Sequence, residues 1–142
     1  MAQSFSTDSF FNKNGVTDCM TQQRLRVGMA GEQAARVYLK NKGYEIIETN
    51  YRCSLGEIDI IAREGKTLVF VEVRTKTGTA YGRPEESIDL RKARQLRRLA
   101  LFYLQVKGLN SVSCRLDLIA VMLNRKEMTV QEVKHLKGIL AG

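Results

Sequence analysis

With 142 residues, 44% hydrophobic and 27% charged, the chain has enough material for one globular domain and too little for two. Its formal net charge of +8 points to a polyanionic partner, and no apolar run approaches the ~18–20 residues of a membrane-spanning helix. Three scattered cysteines, Cys19, Cys53 and Cys114, form no CxxC pair, and His135 is the sole histidine. That pattern argues against a structural zinc and against a disulfide framework, and a Cys–His nucleophile pair is a weak alternative that arises by chance in many sequences.

Residues 1–21 are rich in Ser, Thr, Asn and Gln and lack a basic, then apolar, signal segment, so they read as a flexible lead-in to a single domain over 22–142. A cytoplasmic location is the expectation. Residues 24–43 predict a helix closed by Gly43. Residues 44–50 predict a short strand, followed by the loop YRCSLG. Residues 57–63 and 67–74 alternate with period two and predict a hairpin turning at Glu64-Gly65. After the loop TKTGTAYGR, Pro84 opens a second helix that runs to Gly108. Residues 114–123 and 128–136 predict two more strands. The order α-β-β-β-α-β-β describes an α/β fold, a central mixed five-stranded sheet flanked by helices, with a parallel pair made by the crossover from Arg74 to Cys114.

The hairpin GEIDIIAREGKTLVFVEVRTK contains carboxylates where apolar residues are expected. Period two places Glu57, Asp59 and Ile61 on one face of the first strand, with Ile58, Ile60 and Ala62 on the other. On the second strand, Leu68, Phe70, Glu72 and Arg74 share a face. A Glu64-Gly65 turn pairs Arg63 with Lys66, Asp59 with Phe70 and Glu57 with Glu72, so the acids and Arg74 project together. Like charges opposed across a sheet are destabilising, so this face is either a solvated one with ordinary ion pairs or a site where a bound cation compensates. On the first helix, Arg26, Gln33, Arg36 and Lys40 form the wet side, while Glu32 lies with Leu25, Gly28, Ala35 and Leu39 toward the core. On the second, Lys92 and Gln95 fall within the apolar arc of Ile88, Leu96, Leu99 and Tyr103, and Arg91, Arg94 and Arg98 form an exposed basic stripe.

GMAGEQAARVYLKNKGY, GEIDIIAREGKTLVFVEVRTK, YGRPEESI, KARQLRRLALFYL and CRLDLIAV, in that order across roughly residues 28–123, resemble the bacterial YraN family, which is similar to archaeal Holliday-junction resolvases and to the PD-(D/E)XK nuclease superfamily. The resemblance implies a restriction-endonuclease-like fold and Mg²⁺- or Mn²⁺-dependent hydrolysis of DNA phosphodiesters, on structured or branched DNA in recombination or repair. It implies Asp59 and Glu72 as metal ligands and Glu32 as an accessory ligand. Gln95, with Lys92, then corresponds to the polar positions on the helix after the core motif. Lys76, Arg83, Lys92 and the Arg91/Arg94/Arg98 stripe would grip flanking phosphates. Arg74 stands where the superfamily usually has Lys, although arginine also occurs there within the YraN-like group; it stays protonated and cannot act as a base, and Lys76 is its substitute if the strand continues. A catalytically weak nucleic-acid-binding protein that keeps the nuclease fold is therefore the alternative, with a scaffold that binds protein through its helix face as a third. The analogy to junction resolvases adds a homodimer, and a recombination helicase or branch-migration motor, as expected partners.

Overall fold

The computed structural model describes residues 15–78 and 90–139, with side chains from residue 21 onward. Arg83, Pro84 and Ile88 lie outside the described residues. The elements in chain order are α1 (Gly15–Asn41), β1 (Glu45–Cys53), β2 (Gly56–Glu64), β3 (Thr67–Thr77), α2 (Leu90–Lys107), β4 (Ser113–Leu123) and β5 (Val130–Lys137). The predicted order α-β-β-β-α-β-β is the one observed. Three boundaries differ: α1 begins inside the stretch read as a lead-in, β1 continues through Tyr51–Cys53, which the polar character of YRCSLG had suggested was loop, and β3 runs on to Thr77 through the start of TKTGTAYGR, so Lys76 lies on the strand.

Both helices stop by the same device. Gly43 donates to Lys40 O and Tyr44 to Leu39 O; Gly108 donates to Gln105 O and Leu109 to Leu104 O. Each glycine takes a positive φ that a side chain would resist, and the residue after it packs back on the helix it ends.

The strands lie in the order β1-β2-β3-β4-β5, antiparallel except for the central parallel pair β3/β4. Ala35 and Leu39 of α1 pack on one face against Ile60, Ala62, Val69, Val71, Ile119, Val121 and Leu123. Leu96, Leu99, Ala100 and Tyr103 of α2 pack on the other against Ile58, Ile61, Leu68 and Phe70. Burial on both faces explains the unbroken apolar run of β3, and each fully buried Leu, Ile or Phe contributes roughly 1.5–3 kcal/mol. Among the described residues, no helix is long and apolar enough to cross a membrane.

Where α1 meets β3, the missing side chain of Gly31 makes room for Thr75. A methyl group there would overlap the Thr75 hydroxyl. Gly31→Ala is expected to lift α1 from β3 and cost about 1–3 kcal/mol, read as a lower urea midpoint at unchanged slope. An unchanged midpoint would show that the contact is slack.

The hairpin register differs from the predicted one. Glu64 pairs with Thr67, Arg63 with Leu68, Ile61 with Phe70 and Ile60 with Val71, so the turn is Gly65-Lys66, not Glu64-Gly65. The slip is an even number of residues, so β3 keeps its predicted faces. Strand β2 does not: Ile58 and Ile61 pack with α2 while Ile60 and Ala62 pack with α1. Alternation breaks at Asp59, and the β2/β3 ladder ends beside it at Ile60↔Val71.

Candidate active site

Asp59 occupies the point where β2 and β3 part. Its Oδ2 accepts a hydrogen bond from the Val73 N–H at 2.8 Å, satisfying a backbone donor that the ladder no longer covers. Glu72 is buried one residue before Val73, on the α2 side. Its Oε2 lies 3.4 Å from Arg74 Nε and 3.8 Å from Lys92 Nζ. Burial pushes the Asp59 carboxyl up to about 7; the Val73 hydrogen bond opposes the rise, and the charges of Glu72, Glu32 and Glu57 add to it. Burial also raises Glu72, against the pull of Lys92 and Arg74.

Glu32 reaches the same neighbourhood from α1 and is half-buried rather than core-facing. Leu25, expected on its inward side, is exposed, because α1 extends beyond the sheet at that end. Asn50 Nδ2 donates to Glu32 Oε1 at 3.1 Å and to Glu57 Oε2 at 2.9 Å. That bridge from β1 went unread in the sequence, where an Asn closing a short strand looks like a turn residue. Its left-handed backbone, φ 52°, marks the special position only once the strand is seen to continue past it.

The polar residues of α2 divide. Lys92 turns to Glu72, as a residue in the apolar arc must find a partner. Gln95 donates to Leu55 O at 3.4 Å, tying α2 to the β1–β2 turn. Arg91, Arg94 and Arg98 are exposed along α2, and Lys76 is exposed near the end of β3. Arg74 is unusual: its Nε is buried and makes no hydrogen bond despite its nearness to Glu72. An unsatisfied buried donor costs on the order of 1–3 kcal/mol, which a ligand oxygen can recover.

Among the described residues, no three His, Cys, Asp or Glu side chains converge as a ready-made metal cage. The chemistry of Asp59 and Glu72 nevertheless fits a hard divalent ion. They offer oxygen donors whose mutual repulsion and lost hydration a dication relieves, and Mg²⁺ takes one or two carboxylates plus water and phosphate oxygens. Glu32 is joined through Asn50 to Glu57.

A second charged cluster lies across the sheet and was not anticipated. Asp117 is fully buried on β4. It accepts from Arg115 Nε at 2.9 Å and Arg115 Nη2 at 3.0 Å, from the Gly138 N–H at 3.1 Å, and pairs with His135 Nε2 at 2.7 Å. Arg115 also bonds the Tyr44 hydroxyl and Glu64, and the Tyr38 hydroxyl lies 3.3 Å from His135 Nδ1. Burial alone would raise the Asp117 carboxyl, but the bonds from His135, Arg115 and Gly138 outweigh it and hold it below the usual range. His135 thus belongs to this clasp rather than to a cysteine.

A mixed five-stranded sheet with a helix on each face, in this element order, is the restriction-endonuclease-like class of α/β protein. The family model described as Uncharacterised protein family UPF0102 matches residues 31–121, and the chain belongs to that family, the YraN family of the sequence resemblance. The UPF0102 protein of Moorella thermoacetica is 51% identical over 119 residues, covering 84% of this chain and 98% of its own. That of Desulforamulus reducens is 49% identical over 123 residues, covering 85% and 100%. A third, from Syntrophus aciditrophicus, is 46% identical over 112 residues, covering 79% and 88%.

Proposed function

We propose that this protein is a cytoplasmic, Mg²⁺- or Mn²⁺-dependent endonuclease acting on DNA, with branched DNA of recombination or repair as the preferred class. The observation that carries this reading is half-buried Asp59 beside buried Glu72, two carboxyls raised by burial and by neighbouring acids, with Arg74 and Lys92 against Glu72. A divalent ion held by these two carboxylates supplies charge neutralisation and a more acidic water. Arg74, whose Nε is ion-paired with Glu72, can offer its guanidinium to a phosphate oxygen as charge builds there. Lys92 favours the charged form of Glu72 against its burial, and Asn50 fixes Glu32 and Glu57 at the rim. The exposed Arg91, Arg94 and Arg98 suit sequence-independent phosphate contacts.

A second reading, a nucleic-acid binder with little or no cleavage, is favoured by Arg74 itself, since no lysine stands beside the acids on β3 to act as a base. Incubation with linear, nicked, flap and four-way-junction DNA in Mg²⁺ or Mn²⁺ separates the two. Cutting of a branched substrate, lost in Asp59→Ala and Glu72→Ala, supports the enzyme. Binding without cutting of any substrate supports the binder.

A further inference from the structure

Around the C-terminal end of β3, on the side away from the α2 stripe, lies a groove of about 760 Å³ between the first half of α1 and the β4–β5 turn. Its charged lining is Arg24 from α1, Arg74 and Lys76 from β3, Arg125 from the turn, and one carboxylate, Glu32. Arg24, Lys76 and Arg125 are exposed, and among the described residues none of them is ion-paired to a carboxylate.

Three features make this a built surface rather than scattered charge. The turn that presents Arg125 is held rigid: Asn124 Oδ1 accepts from the Lys126 and Glu127 N–H groups at 2.9 and 2.8 Å, and Asn124 O accepts from Met128 N–H at 2.8 Å. Gly78 N–H donates to Leu123 O at 3.2 Å, joining the end of β3 to the start of that turn. Arg74, whose buried Nε makes no hydrogen bond, belongs to this lining and also lies 3.4 Å from Glu72, so it links the groove to the acid site. On the opposite wall, Gly28 leaves the α1 backbone bare, and a Cβ there would meet nothing within 4 Å.

We infer that this groove holds the sugar–phosphate backbone of one nucleic-acid strand, with Arg24, Lys76 and Arg125 on its phosphates and Arg74 receiving the phosphate nearest the acids. The inference rests on the nuclease reading of the acid site and adds the path of the strand, on the α1 side, through Arg24 and Arg125, to which the sequence had assigned no role. Size favours one strand: a volume of about 760 Å³ is that of a small-ligand site, suited to a single backbone lying within it. Chemistry decides for backbone: among the described lining residues none is aromatic, so bases find no stacking platform and no sequence is read.

The test is fluorescence anisotropy with labelled oligothymidylate in EDTA across a salt series. Wild type is compared with Arg24→Ala/Arg125→Ala, with Gly28→Met, and with Arg91→Ala/Arg94→Ala/Arg98→Ala. The groove double variant is expected to bind at least 10-fold more weakly, with a log–log salt slope shallower by about 1.4, at ~0.7 per single-strand phosphate contact. Gly28→Met fills the groove without removing charge, and should weaken binding at an unchanged melting temperature or a higher one, since Met suits a helix better than Gly. If wild type binds and both groove variants bind as well, the groove is not the path and the nuclease reading survives. If wild type binds neither this strand nor a duplex, the nucleic-acid reading falls with it.

Discussion

Asp59→Asn is expected to give a protein that melts higher than wild type at pH 8 and no longer cuts DNA. The amide keeps an oxygen to accept from Val73 N–H while removing the charge that burial, Glu72, Glu32 and Glu57 all oppose. In the unfolded chain this carboxyl titrates near 3.8, and in the folded chain at about 7. Between those values the folded state binds the extra proton, so wild-type stability falls as pH rises from about 4 to about 7 and then levels off. At about 1.4 kcal/mol per unit the ceiling is a few kcal/mol. The variant should lack this slope, match wild type near pH 4 and exceed it above pH 7. Mg²⁺ should raise the melting temperature of wild type and not of the variant, because a ligand that binds only the folded state stabilises it. Loss of activity should be on the order of 10³-fold or more, as expected when a group that acts as part of a unit is removed. A variant that melts lower at pH 8 would refute the account of Asp59 as a strained anion, and one that cuts at the wild-type rate would remove it from the site.

Asp117→Ala is expected to do the reverse, destabilising the fold without touching the chemistry. It strands Arg115 and His135 at a fully buried position and frees the Gly138 N–H. Breaking such a buried cluster by removing one partner costs about 3–5 kcal/mol, a large part of the ~5–15 kcal/mol that holds a domain together. The pH signature has the opposite sign from that of Asp59. The Asp117 carboxyl is depressed when folded, so its contribution is present above about pH 4 and is lost as pH falls through the lower, folded value. Urea unfolding at pH 7 should show the loss, amide exchange should show β5 opening first, and the acid limb of wild type below pH 4 should be absent from the variant. An Asp117→Ala protein as stable as wild type would mean that the clasp is idle.

The two aspartates explain how far the sequence could be read. IDIIA at 58–62 and LDLIA at 116–120 are nearly the same pentapeptide, each an acid interrupting an apolar strand. Only the first was singled out, because Glu72 and Arg74 followed it at a spacing that period two could use. Their fates diverge through tertiary neighbours: acids around Asp59, and Arg115 with His135 around Asp117. The helices, their glycine stops, the basic stripe and the double-faced apolar run of β3 were legible because each depends on local spacing. The turn was misplaced because Glu64-Gly65 and Gly65-Lys66 differ by energies that the adjoining register decides. The break in β2 was invisible because alternation is a property of paired strands, and there β2 loses its pairing with β3. Lys92 was legible as a polar intruder on an apolar arc, while the turn of Gln95 toward Leu55 needed the β1–β2 connection in place.

The parallel union of β3 with β4 also sets an order of assembly. Thr67 pairs with Ser113 and Thr77 with Leu123, so every rung of this ladder waits for a loop closure spanning the whole crossover. Strands β1, β2 and β3 are sequential hairpins with much nearer partners and can meet early. A chain that pairs its hairpins first would bring Asp59 and Glu72 together before Lys92 arrives on α2, and a neutral residue at either position should then speed folding.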